Sequence, residues 1–157
     1  MIIGQGNVAS HLWHAFHASN SIKLVQINSR KLKNIPASDI SIIAVTDDAI
    51  AEVSQQLGNR EGLIVHTSGT VVMQTIHQQR KGVFYPLQSF TKESSVDFTK
   101  VPICLETGNE SDFLALASLV KIIGTTSYRM DSKQRKKIHL AAVFVNNFTN
   151  HMYTIGK

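Results

Sequence analysis

Six residues near the N-terminus, Gly4-Gln5-Gly6-Asn7-Val8-Ala9, fit the pattern G-x-G-x-x-A. In that pattern the first glycine permits a tight turn out of a strand. The second lets a pyrophosphate approach the backbone, and the third small residue lets helix and strand pack closely. The chemistry is anion binding, because a helix starting near Asn7 would aim its free N–H groups and positive dipole end at the phosphates. The apolar run Met1-Ile2-Ile3 precedes the loop, and Val8, Leu12, Ala15 and Phe16 follow it at helical spacing, the context such a loop needs. All six loop residues are therefore candidate cofactor contacts. The next strand ends Ile27-Asn28-Ser29-Arg30-Lys31, where a site for a free ribose 2′-hydroxyl would carry Asp or Glu. Ser29, Arg30 and Lys31 suit a 2′-phosphate instead. The expected cofactor is NADP(H) rather than NAD(H), against the plainer reading of a solvated basic loop.

Two other segments carry residues able to do chemistry. His66-Thr67-Ser68-Gly69 closes an apolar run, Leu63-Ile64-Val65, at the edge of a sheet where ligands bind. His66 could face a substrate there, while Ser68 serves as a site residue, a helix cap, or both. Thr46-Asp47 ends the run Ile40–Val45 in the same way and is expected to line the cofactor path, capping being its simplest explanation. Farther on, Leu140-Ala141-Ala142-Val143-Phe144-Val145 is apolar all round and is expected to be buried. His139, Asn146 and Asn150 interrupt it on nearly one helical face, with Asn147 beside them. These polar groups meet either a substrate or a neighbouring helix. In the first case His139 is a general acid or anchor, and Asn146 or Asn147 positions the substrate. His11, His14 and His17 are spaced by three with no carboxylate nearby, which suits a solvated face and no metal.

The elements that must hold these residues alternate. Strands are expected at 1–3, 23–27, 40–45, 63–66, 83–85, 103–105 and 125–129. Helices are expected after Gly6, from Asp47 or Asp48 to Gly58, from Thr70 to about Arg80, over Phe113–Ile123, and from Asp131-Ser132 onward. The polar stretch from Pro86 to Pro102 reads as a loop. Alternation of this kind means an α/β fold, a doubly wound, mostly parallel Rossmann-type sheet, followed by the start of an all-helical second domain. The boundary falls at 130/131: a nucleotide-binding domain over 1–130, then the first helix of a truncated helical domain over 131–157.

With 157 residues, 43% of them hydrophobic, the chain can build a real core. No apolar run reaches the ~20 residues of a membrane span, and no secretory signal is visible. The single cysteine, Cys104, reads as a buried strand residue in a reducing, cytoplasmic setting. The net charge of +5 gathers in Arg30-Lys31-Leu32-Lys33 and Lys133-Gln134-Arg135-Lys136-Lys137. Neither run is interleaved with aromatics and no nucleic-acid motif accompanies them; most such runs are solvated faces.

Ile3–Ala9, Val65–Gly69, Tyr85-Pro86-Leu87-Gln88-Ser89-Phe90 and Arg135–Phe148, in this order and spacing, resemble the Rossmann-like oxidoreductases that carry a helical C-terminal domain of unknown function. That family is similar to pyrroline-5-carboxylate reductase, ketopantoate reductase and 6-phosphogluconate-type dehydrogenases. The resemblance implies an NADP-binding domain and a helical domain that completes the active site and forms a homodimer. It also implies a small imine, keto acid or hydroxy acid as substrate, met by His139 and Asn146 or Asn147. The chain departs from the pattern in its short first strand. It also stops within the long helix, so part of the active site is expected to be missing. The alternative is a non-catalytic NADP-binding sensor; a nucleic-acid binder ranks behind both.

Overall fold

Period-two patterning sets the two faces of the sheet. Residues paired across parallel strands, Ile2 with Ile42 and Ile42 with Val65, point to one face, while Ile3, Ile43 and His66 point to the other. Each face therefore needs its own cover. The computed structural model describes residues 1–19, 21–92 and 95–156, without the side chains of Asn147 and Asn150. The elements are β1 (Ile2–Ile3), α1 (Asn7–His17), β2 (Gln26–Ile27), β3 (Ile40–Ile43), α2 (Ile50–Gln56), β4 (Leu63–His66), β5 (Lys81–Pro86), β6 (Ile103–Thr107), α3 (Glu110–Ile122), β7 (Ser127–Arg129) and α4 (Ser132–Ile155). Among the described residues the sheet has seven strands in the order β2-β1-β3-β4-β5-β6-β7. Every pairing is parallel except β5 with β6. Among its described residues, the connection between those two holds a single 3₁₀ turn, Phe98–Lys100, and no crossover helix.

One face packs Ile2, Ile42, Val65 and Phe84 against Leu12 and Phe16 of α1 and Leu116 and Val120 of α3. The other packs Ile3, Ile43 and Ile64 against Ile50 and Val53 of α2 and Ile76. Along that second face, Val83, Tyr85 and Cys104 carry the core toward α4. The fold expected from the sequence is the fold observed. No described helix is long and apolar enough to cross a membrane.

Several local expectations fail, each for a visible reason. The second strand is only Gln26–Ile27. The helix expected up to Arg80 is an extended segment with one 3₁₀ turn, Met73–Thr75. Tertiary bonds hold that segment open: the Gln78 amide donates to the Ser54 and Gly58 carbonyls, and the Val71 carbonyl accepts from Arg135. Neither Asp47 nor Asp48 caps α2, which starts at Ile50 after a 3₁₀ turn. The Asp47 carboxylate is taken by the Thr70 hydroxyl.

α4 departs most from expectation. Asp131 and Gln134 form a capping box at its start, as the Asp131-Ser132 signal suggested. Its apolar middle is not buried: Leu140, Phe144 and Val145 are 63–69% exposed. Its basic run is not uniformly solvated either. Lys133, Lys136 and Lys137 face water, but Arg135 is 0% exposed. Helical spacing places Ser132, Arg135 and His139 on one stripe, and that stripe lies on the sheet. The Arg135 guanidinium pairs with Glu106 of β6 and donates to the Val71 carbonyl, and Ser132 donates to both Glu106 oxygens at 2.9 Å. Removing one partner of such a pair strands the other charge. Arg135→Ala should lower the free energy of unfolding by about 3–5 kcal/mol in urea titrations, while Arg135→Met with Glu106→Leu should recover most of that loss.

Candidate functional site

The order of strands reverses between β1 and β3, and ligands of open α/β sheets settle at the carboxyl ends of the strands flanking such a switch. Gly4 leaves β1 with φ +136°, and a Cβ there would lie 2.1 Å from the Ala44 carbonyl oxygen. Only glycine fits. Gly6 is the N-cap of α1, and a Cβ on it would meet nothing within 4 Å. No side chain caps α1, and no acid sits in its first turn. The positive end of this helix thus opens, bare, onto free space.

That space is a groove of about 940 Å³, walled by Gln5, Gly6, Asn7 and Val8, by Asn28, Ser29 and Arg30, and by Ala44, Val45, Thr46, Ala49, Glu52, Val53, Gln56 and Phe90. Gly4 and the buried Ala9 do not line it. Lys31 and Asp47, also expected at the cofactor, do not line it. Asn28 supports the basic turn, its side-chain oxygen accepting from the Arg30 backbone N–H at 2.8 Å. No described carboxylate pairs with Arg30. Phe90 reaches the groove because the loop after β5 lies over α1. The Asn7 amide donates to the Phe90 carbonyl at 3.1 Å, and His11 Nε2 lies 2.9 Å from the Thr91 carbonyl oxygen with its ring beside Phe90. His11 is thus a tie for this loop rather than part of a solvated face.

The remaining candidates gather elsewhere, at the ends of β4 and β5 beneath α4. His66 is fully buried. Its Nδ1 accepts from the Ser68 N–H at 3.1 Å, which leaves the proton on Nε2, a buried atom with no hydrogen-bond partner. Burial pushes its pKa down to about 4; Arg135 adds to the shift, and the Val72 backbone and Asp47 oppose it. His66 therefore stays neutral and does not face open space. Ser68 is also buried, and its hydroxyl accepts from the Thr70 and Val71 N–H groups at 3.0 Å, which makes it the organiser of a turn. His139 is half-buried, with Nδ1 2.8 Å from the Tyr85 hydroxyl. Gly69 backs this pair closely: a Cβ there would sit 2.5 Å from His139 Nδ1 and 2.9 Å from Tyr85 Cζ. Asn146 is exposed about two turns past His139, the last residue of the sheet-facing stripe; Asn147 also falls in α4, but its side chain lies outside the described residues.

The chain is 32% identical to an NADP oxidoreductase candidate from Bacteroides fragilis, BF3122, across 98% of this chain and 68% of that one, with a TM-score of 0.85. The chain belongs to that Rossmann-like oxidoreductase family. The model of a domain of unknown function, DUF2520, matches residues 101–157. Protein TM1727 from Thermotoga maritima is 18% identical across 98% of this chain and 68% of its own, TM-score 0.73. A pyrroline carboxylate reductase from Plasmodium falciparum, solved with NADP bound, is 12% identical across 96% of this chain and 64% of its own, TM-score 0.67. The last two share the fold. A search of curated proteins finds no match.

Sequence reasoning missed Tyr85, Arg135 and Glu106. The signal for Arg135 was present in its spacing from Ser132 and His139; Tyr85 opens the Tyr85–Phe90 motif but was given no role, and nothing local marked Glu106. Two outcomes follow from this geometry. Gly69→Ala must push His139 and Tyr85 apart, and should cost about 1–3 kcal/mol of stability in thermal or urea unfolding. His66 binds its proton more weakly folded than unfolded, so its contribution is complete above pH 6.5 and fades as pH falls toward 4, by about 3 kcal/mol in all. His66→Asn, which keeps an acceptor for the Ser68 N–H but does not titrate, should flatten that part of the stability–pH curve.

Proposed function

We propose that this chain is the nucleotide-binding part of an NADP-dependent oxidoreductase that transfers hydride to or from a small imine, keto acid or hydroxy acid. The observation that carries the reading is the uncapped N-terminus of α1, opening at Gly6 into a groove that ends at Asn28-Ser29-Arg30. Those residues fit the cofactor. A diphosphate suits the bare helix end, and the space a Cβ would take at Gly6 is free for it. A 2′-phosphate suits Ser29 and Arg30 at the end of β2, which carries no acid; Glu52, also on the groove wall, accepts from the Gln56 amide. The family tie to the Bacteroides protein and the NADP bound in the Plasmodium reductase support the same choice. When bound, the nicotinamide supplies or accepts the hydride.

In this reading the chain divides into a Rossmann-like domain over 1–130 and the first helix of a helical domain over 131–157. His139 anchors the substrate, and Asn146 or Asn147 orients it. His66 and Ser68 position the turn that holds Gly69 against His139. The exposed apolar side chains of α4 serve a homodimer through the helical region, and the lone buried thiol of Cys104 suits the cytoplasm.

Calorimetric titration with NADPH and NADH tests the cofactor reading. NADPH should bind more tightly than NADH, and Arg30→Glu should weaken NADPH by about 10- to 100-fold, the range expected from losing a charged hydrogen bond, while leaving NADH nearly unchanged. An unaltered NADPH affinity in the variant would overturn the assignment.

A further inference from the structure

We propose that Tyr85 is a positioning residue: its hydroxyl holds His139 as an Nε2–H donor, so that the site accepts substrates presenting a hydrogen-bond acceptor, such as a carbonyl oxygen or an imine nitrogen. This rests on the reading of His139 as the substrate anchor.

The two side chains come from distant parts of the chain, β5 and α4, and meet at 2.8 Å between the phenol oxygen and Nδ1. Their rings stand edge-on, 5.8 Å between centroids at 67°. Gly69 closes a third side so tightly that a methyl group would not fit between them. The imidazole is thus held on one edge by β5 and the turn after β4. Tyr85 is 8% exposed, and burial, aided by Cys104, pushes its phenol up to about 12. It keeps its proton at any physiological pH and can donate it in a hydrogen bond to a neutral imidazole. A neutral imidazole has one acceptor and one donor nitrogen. With Nδ1 accepting from Tyr85, the ring proton resides on Nε2.

Nε2 of His139 has no hydrogen bond to any described residue, yet it is not among the buried unpartnered atoms. On this half-buried residue, Nε2 thus keeps some exposure to solvent. A ligand atom with a lone pair pairs with this N–H; an ammonium or another pure donor meets donor against donor and leaves both unpaired, a mismatch that binding sites punish strongly. The interaction is a hydrogen bond that polarises the acceptor, and no proton changes hands in it.

Long-range ¹H–¹⁵N spectra of histidine-labelled protein at pH 8, with His139→Gln for assignment, test the idea. The wild type should show His139 as a single Nε2–H tautomer. Tyr85→Phe, which keeps the buried ring, should turn it into an exchanging mixture of tautomers and leave NADPH affinity within twofold. Acetate, an acceptor, should move the Nε2 signal of the wild type, and methylammonium should not. An Nδ1–H tautomer in the wild type, unchanged His139 signals in Tyr85→Phe, or an Nε2 signal that acetate leaves in place would each overturn the proposal. The cofactor reading fails separately: a wild type that shows the Nε2–H tautomer but binds no NADPH sinks the nucleotide assignment and leaves this one standing.

Discussion

A guanidinium removed from water needs an opposite charge and hydrogen-bond acceptors; Arg135 is removed completely and finds them at its two terminal nitrogens, while its buried Nε has no partner among the described residues. Glu106 of β6 supplies the opposite charge, Ser132 completes the carboxylate, and the Val71 carbonyl takes a further N–H. Three separate stretches of chain are thereby required to meet: the end of the sheet, the base of α4, and the extended segment after β4. That segment contains Gly69, and α4 contains His139. The contact between Gly69, His139 and Tyr85 is therefore downstream of the ion pair. Buried pairs of this sort are poor sources of net stability. Here the pair does more to place one helix on one face of the sheet than to hold the fold together, which the apolar layers around Ile42, Val65 and Phe84 already do.

The groove is governed by an opposite arrangement. Around Arg135 every charge is answered; at the N-terminus of α1 nothing answers the helix dipole. A protein seeking only stability would place Ser, Thr, Asp or Asn at that cap. Gly6 gives up that bond and leaves open backbone beside Asn28, Ser29 and Arg30. The loop after β5, tied down through Asn7 and His11, adds Phe90 to the rim without covering the helix end.

How much of this could be read in advance follows from range. The glycine loop, the parallel sheet and the start of α4 are local patterns, and residues within a few positions of one another decide them. The groove wall from Gln5 to Val8 and at Ser29, Arg30 and Thr46 was legible for the same reason. Lys31 and Asp47 do not line it, and the Asp47 carboxylate is taken by the distant Thr70 hydroxyl. The segment from Thr70 to Arg80 has helical composition, but bonds to Ser54, Gly58 and Arg135 override it. Tyr85 needs α4 beside it to matter, and no local pattern announces a partner 54 residues away.

The single antiparallel pairing has a geometric consequence for α4. Because β6 runs against β5 and β7 follows β6, the chain leaves β7 at the sheet edge far from the groove. The helix that follows must travel back along the sheet to bring His139 to the end of β5. A strand the length of β5 measures roughly 20 Å. A helix of 24 residues measures about 36 Å, nearly twice that. Leu140 follows His139 directly and is exposed because it faces away from the sheet; Phe144, Phe148 and Tyr153 are exposed along the length of helix that continues beyond the contact of His139 with β5.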